Sequence, residues 1–232
     1  MYLQHSSAIW SEFPELVAGA VVAVGVSGRA DVDERIARFT AVAEARLATS
    51  SEAEFPEIQA WRRTFSKMGL KPTQYRCASE ALLRRFKKER VLPRIHPLID
   101  LCNAISVAFA VPVAAIDLER VEGGLDVRHA KGDEHYLTFG GDTEHPAPDE
   151  VVFADAAGRA HARRWTNRQS GYSAVRESTR AVVIVAEAMH ESARDDVPAL
   201  IAAIAEEVGA AWQTTPRSAI LTAASPRFEF DR

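Results

Sequence analysis

Apolar residues recur along this chain with two different periods, and the change from one to the other divides it. Val21–Val26 is a run of mostly β-branched residues punctuated by Gly25 and Gly28, which predicts a buried strand. Asp33 is placed to cap a helix through about Ala48. Pro56 opens a second helix in which Ile58, Trp61, Phe65 and Met68 fall at helical spacing, and Gly69 closes it. Pro72-Thr73 opens a third, running to about Arg90. Its Tyr75, Ala78, Leu82 and Phe86 share one face, with Arg76, Arg84, Lys87 and Lys88 roughly opposite. Pro97 suits a first helical position, and Leu98, Leu101, Cys102, Ile105 and Phe109 follow as a core-facing stripe until Pro112.

Beyond Pro112 the helical period gives way to short strands. Val113–Leu118, Leu125–His129, Tyr136–Phe139, Val151–Asp155 and Ala160–Trp165 are separated by Gly, Pro and Asp, with Asp155-Ala-Ala-Gly158 as a hairpin turn. Val182–Val185 predicts one more strand. Asp195-Asp196 then caps a last helix with Val197, Leu200, Ile201, Ile204, Val208 and Trp212 along one stripe. Pro216 and Pro226 predict an irregular tail over 216–232. Helices followed by a run of short strands indicate an α+β fold, with small antiparallel or mixed sheets packed against helices. No repeat or low-complexity linker divides the chain, so residues 1–232 are expected to form a single domain.

Composition excludes classes of function more than it selects one. The 232 residues carry 28 Lys+Arg against 32 Asp+Glu, a formal charge of −4, and are 47% hydrophobic. This excludes a disordered tail and a globally basic nucleic-acid binder. The distribution of charge changes that picture. Trp61–Arg94 holds eleven bases and two acids, hence +9, leaving −13 for the rest of the chain. Such asymmetry suggests a polyanionic partner, and few acids fall near enough along the third helix to pair its bases. No segment has the apolar length of a membrane span, and the first residues lack a signal-peptide pattern, so a cytoplasmic protein is expected.

The chemistry motifs are sparse. Cys77 and Cys102 form no CxxC pair and suit buried positions in helices. Gly25-Val-Ser-Gly28 lacks both the third glycine of a dinucleotide loop and the lysine of a phosphate loop. His129, His135, His145 and His161 show neither HxH nor HxxxH spacing, so neither a metal nor a cofactor is expected, and these histidines are assigned to the surface beside turns. Two stretches stand out. Asp100, Asn103 and Ser106 recur every three residues on one helix flank, placed to tie helix to loop or to read a ligand. Ala162-Arg-Arg-Trp165-Thr-Asn167-Arg168-Gln169-Ser170-Gly171 concentrates guanidinium, indole, amide and hydroxyl groups between two strands, as a loop that binds a small polar ligand or a nucleotide would.

These residues, taken in order, resemble a known family. Pro93-x-Ile95-x-Pro97-Leu98-x-Asp100-x-x-Asn103-x-x-Ser106, Pro112-x-x-x-x-Asp117, Gly123, Val151-x-x-x-Asp155 and Arg164-Trp165-x-x-Arg168-Gln169-Ser170 resemble the B3/B4 domain. That domain is the editing module of the bacterial phenylalanyl-tRNA synthetase beta subunit, and the chain looks closest to its free-standing relatives. The similarity runs from about Leu70 to Glu187. It implies an α+β fold with two small sheets and a site that hydrolyses an amino acid wrongly esterified to tRNA. It does not imply tRNA charging, because no aminoacylation core is present. Asn103, Pro112, Ala115 and Asp117 match the synthetase motif, whereas Cys102 replaces a Thr, Ala110-Val111 replaces Gly-Gln and Ala114 replaces the pocket His.

The resemblance implies a pocket for an amino acid or aminoacyl moiety lined by Asn103, Ser106, Ala114, Arg164, Asn167, Arg168, Gln169 and Ser170. Arg76, Arg84, Lys87 and Lys88 would contact the tRNA backbone. The expected activity is recognition of tRNA with deacylation of a misacylated one in trans. The alternative is a non-catalytic domain that binds an amino acid or small metabolite without RNA. The acidic remainder of the chain beside its basic stretch leaves homo-oligomer formation open.

Overall fold

The structure, a computed structural model, describes residues 1–231. In chain order the strands and helices are β1 (Tyr2–His5), α1 (Ser7–Glu12), β2 (Val17–Val24), α2 (Asp33–Thr49), α3 (Pro56–Lys67), α4 (Ala78–Glu89), α5 (Pro97–Phe109), β3 (Val113–Asp117), β4 (Leu125–His129), β5 (Tyr136–Leu137), β6 (Thr143–Glu144), β7 (Val151–Ala154), β8 (Ala160–Arg163), β9 (Arg168–Gln169), β10 (Ala181–Ala188), α6 (Ala193–Trp212), β11 (Arg217–Leu221) and β12 (Arg227–Glu229). Short 3-10 turns cover Glu52–Glu54 and Leu118–Arg120. The arrangement is α+β. A six-stranded mixed sheet runs β12-β1-β4-β7-β8-β9, a four-stranded antiparallel sheet runs β11-β2-β10-β3, and β5 and β6 form a small hairpin.

The four-stranded sheet is the middle layer, and its sequence shows why. Successive side chains of a strand point to opposite faces. In β2, Ala18, Ala20 and Val22 join the core shared with the six-stranded sheet, while Val17, Val21 and Ala23 pack under α5 and α6. β10 divides in the same way, with Val183 and Val185 on the first face and Val182 and Ile184 on the second. A strand buried on both faces reads as an unbroken apolar run, as these two do. Gly19 lies on the helix-facing side of β2, where a Cβ would come within 2.3 Å of Ile201 Cγ1 and 3.1 Å of Val197 Cγ1. Gly19→Val is therefore expected to lose about 1–3 kcal/mol by overpacking, measured by urea unfolding.

Several element boundaries differ from the pattern-based reading. The tail is not irregular: β11 pairs with β2 and β12 with β1. Pro216 and Pro226 each sit just before a strand, where the missing N–H costs no ladder bond. α4 begins at Ala78, not at Pro72, because tertiary hydrogen bonds claim the backbone there. Residues 72–74 form a turn, and then the Ala78 N–H donates to the Thr166 carbonyl and the Arg76 carbonyl accepts from Asn167 Nδ2, which tie 76–78 to the loop after β8. Asp33 is not the cap of α2: Val32 holds that position, and Asp33 is the first-turn acid favoured by the helix dipole. Ser192, not Asp195 or Asp196, flanks α6. Among the described residues no helix is long and apolar enough to cross a membrane.

Candidate functional site

A cavity of about 70 Å³ opens where the free edge of β3 faces the β8–β9 end of the six-stranded sheet. Its walls are mainly apolar, from Pro112, Ala114, Ile116, Phe153 and Val185, with Ala78 at the start of α4. The polar groups come from the loop Thr166–Gln169 and from Glu187 on β10. Glu187 reaches this space through strand period alone, since it shares a face with Val183 and Val185.

The loop is built around Trp165. Arg164 and Trp165 are both left-handed, with φ of 48° and 56°, a conformation rare for side chains of this bulk. It turns the indole inward, where it is fully buried, edge-on to Phe13 at 4.9 Å and to Trp61 at 5.2 Å. Two left-handed residues cost about 1–2 kcal/mol each. The aromatic burial offsets this, and the indole N–H is satisfied by Glu187 Oε1 at 2.9 Å.

With Trp165 fixed, the next residues are set by main-chain acceptors. Asn167 Nδ2 donates to the Arg76 carbonyl and Gln169 Nε2 to the Ala115 carbonyl on the β3 edge, both at 2.7 Å. A carbonyl only accepts, so each amide is oriented with its oxygen left uncommitted among the described residues. Glu187 Oε1 takes both Trp165 Nε1 and His5 Nε2, the latter at 2.6 Å, leaving Oε2 without a partner among the described residues. Thr166 Oγ1 is buried with no partner among the described residues. The uncommitted polar atoms are thus three acceptors and one hydroxyl, which suits a ligand rich in hydrogen-bond donors. At the rim Arg168 pairs with Glu144 at 3.4 Å and lies over the Tyr136 ring.

Four of the residues anticipated for a pocket, Ala114, Asn167, Arg168 and Gln169, line this cavity, and the other four lie elsewhere. Ser106 is fully buried and donates to the Val111 carbonyl at 2.7 Å, closing the turn after α5. Ser170 is fully buried between the Leu137 carbonyl and the Tyr172 N–H. Arg164 stacks on Tyr75 and lies 3.8 Å from Glu150. Asn103 is half-buried on α5, is not one of the residues lining the cavity, and its side chain makes no hydrogen bond among the described residues. Asp100 holds the start of α5 by accepting from the Ile95 and His96 N–H groups. Glu187, Thr166 and His5 were missed by sequence reasoning. The available signal was a single acid inside an apolar strand run.

The basic stretch is answered by acids from within it and from other elements. Arg84 and Lys87 both face Glu52, at 3.7 and 3.1 Å, and Arg62 and Arg76 share the buried Glu80. The pairs on Glu52 and the Arg62–Glu80 pair join different elements and are not visible in spacing along one helix, whereas Arg76 and Glu80 are four residues apart. Lys88, Arg63 and Arg90 are exposed with no ion-pair partner among the described residues. Arg84 and Lys87 are exposed although Glu52 is buried, so solvent screens these pairs and leaves the two bases open to phosphate.

Ser173, His161 and Asp155 form a Ser–His–Asp chain, with His161 Nδ1 2.7 Å from Ser173 Oγ and Nε2 3.3 Å from Asp155 Oδ2. Ser173 and His161 are fully buried, so no substrate reaches the hydroxyl and the chain is structural. His161 is therefore not a surface histidine, although His135 and His145 are exposed. Burial would raise the Asp155 carboxyl, but the His161 imidazole and the Arg159 and Glu122 N–H groups outweigh it and hold the carboxyl down at about 2. A depressed carboxyl adds stability above its unfolded value, lost as pH falls through its folded value. Asp155→Asn should therefore cost about 2 kcal/mol near neutral pH, with the deficit fading between about pH 4 and pH 2 in acid-unfolding curves. Among the described residues, no group of three or more His, Cys, Asp or Glu side chains could hold a metal.

The family model of the B3/4 domain matches residues 60–196, a span that contains every residue lining the cavity. The chain is 32% identical over 77 residues to the phenylalanine–tRNA ligase beta subunit of Thiobacillus denitrificans. It is 28% identical over 86 residues to that of Photorhabdus laumondii. These stretches are 33% and 37% of this chain, but only 10% and 11% of those subunits. Among solved structures, an N-terminal fragment of the phenylalanyl-tRNA synthetase beta-subunit from Pyrococcus horikoshii aligns with a TM-score of 0.49 at 10% identity, covering 93% of this chain and 50% of that one.

Proposed function

This chain belongs to the B3/4 domain family, and on that premise we propose that it recognises tRNA, takes the aminoacyl end of a misacylated tRNA into the cavity and hydrolyses its ester in trans. The observation that carries this reading is the set of uncommitted acceptors, on Asn167, Gln169 and Glu187, in otherwise apolar walls. An aminoacyl group presents a protonated amine next to its ester, and these acceptors suit that amine. The ester is already activated, so the site has mainly to hold a water against the carbonyl carbon and stabilise the oxyanion. Water adds to that carbon, the bond to the ribose oxygen breaks, and that oxygen leaves with a proton. With Ala114 in the wall, no imidazole lines the cavity, and the Glu187 carboxylate is the lining group able to take the proton from the water.

α4 relates the cavity to the basic surface. Ala78 lines the cavity and Lys88 lies ten residues further along, about 15 Å at 1.5 Å per residue. A tRNA end entering the cavity would pass its backbone along this helix. The test is deacylation over a panel of misacylated tRNAs, with Asn167→Ala and Gln169→Ala each expected to lose about tenfold or more in turnover. Absence of turnover across the panel would remove the hydrolytic reading. tRNA binding should weaken with salt as counterions are released, and should fall on reversing Arg84, Lys87 and Lys88 to Glu.

A second reading has one observation in its favour: Glu52 and Glu80 already face three of the four bases that would meet RNA, Arg76, Arg84 and Lys87. In this reading the cavity binds a free amino acid without RNA. A rise in melting temperature with an amino acid, together with no tRNA binding at low salt, would select it.

A further inference from the structure

Glu187 is the acidic side chain in the cavity wall, and two residues from other parts of the fold aim its carboxylate. One is Trp165, whose indole N–H reaches Oε1 at 2.9 Å. The other is His5, whose Nε2 lies 2.6 Å from the same oxygen. His5 belongs to β1 of the six-stranded sheet, so this contact crosses the interface between the two sheets from outside the matched span 60–196. The ring is 3% exposed and packs against Trp10 with centroids 5.1 Å apart. Its Nδ1 is buried without a partner among the described residues, which assigns the proton to Nε2, where the carboxylate accepts it. The Trp61 indole holds the Glu187 main-chain carbonyl at 3.3 Å, so backbone and side chain are both anchored.

We propose that His5 is a positioning residue for this cavity: with Trp165 it pins Oε1 of Glu187 so that Oε2 is held ready for the ligand. A glutamate side chain turns about three torsions, and one donor leaves the carboxylate free to swing about that bond. Two donors converging on one oxygen from different directions remove this freedom before a ligand arrives. Hydrogen bonds to a carboxylate are also the short, strong kind, in keeping with 2.6 Å. The inference rests on the reading that the cavity takes the aminoacyl moiety, and adds a residue that the family match does not include.

The experiment combines NMR and kinetics on the full chain. The imidazole nitrogens of His5 should report the Nε2–H tautomer, and Glu187→Gln should shift them. His5→Leu should move the Glu187 Cδ and Trp165 indole N–H resonances, and should lower kcat for deacylation about tenfold with KM within about twofold. His5→Gln returns an N–H donor and should recover most of both. In a Glu187→Gln background, His5→Leu should cost less than about twofold, because the residue acts through that carboxylate. A folded His5→Leu protein with unmoved Glu187 and Trp165 resonances, or additive losses in the double variant, would overturn the proposal. Should His5→Leu not fold, an unshifted His5 imidazole in Glu187→Gln overturns it instead. If the wild-type chain deacylates nothing, the hydrolytic reading fails, and the resonances alone decide whether His5 holds the carboxylate.

Discussion

Trp165→Ala is expected to cost about 3–5 kcal/mol of folding stability, measured by urea or thermal unfolding. The indole is fully buried and packs edge-on to Trp61 and Phe13, so its removal leaves a void between the two sheets. The left-handed conformations of Arg164 and Trp165 are held by that packing, and without it the backbone is free to relax. The Thr166–Gln169 wall should then loosen, exposing the Ala115 and Arg76 carbonyls that Gln169 and Asn167 now cover. Faster amide exchange over 164–169 than in the rest of the fold is the accompanying result. Trp165→Phe, which keeps the ring volume but drops the N–H, should lose less stability and leave the Glu187 carboxylate with one donor.

Glu187→Ala should destabilise the fold by about 2–5 kcal/mol, because the His5 Nε2–H and the Trp165 Nε1–H are left buried without an acceptor. The same substitution removes the lining carboxylate, and under the proposed function deacylation should fall about a hundredfold or more. Glu187→Gln separates the two effects. It keeps an acceptor oxygen for the two donors, so most stability should remain, while the proton acceptor is lost. Equal turnover in Glu187→Gln and wild type would exclude Glu187 as the base.

The helices were legible where proline fixes the first turn. Pro56 and Pro97 each start a helix in the structure, and apolar spacing carried the prediction from there. The central strands were legible because burial on both faces leaves an unbroken apolar run. β1 was missed because four residues give too short an alternation to register, although Leu3 and His5 are buried. The end of β10 was missed because Glu187 interrupts its apolar run, and an acid at a strand end resembles a return to the surface. Ser106, Ser170 and Arg164 look like ligand-binding residues in sequence. Their polar groups are in fact taken by Val111, five residues on from Ser106, and by Leu137, Tyr75 and Glu150, which are distant in the chain.

By itself, then, the sequence determined the class of fold, the central apolar strands, the helix starts at Pro56 and Pro97 though not the one expected at Pro72, and the loop Trp165–Gln169 as a place where chemistry is concentrated. These follow from local torsional preference and from the periods at which side chains meet a core, and both act within a few residues. Only the tertiary structure decided which polar groups remain uncommitted. A hydrogen bond needs about 3 Å between its partners, and the bonds that commit Gln169, Asn167 and Glu187 join residues 54, 91 and 182 positions apart. The same distance rule set Glu52 against Arg84 and Lys87, and brought His5 to the back of the cavity.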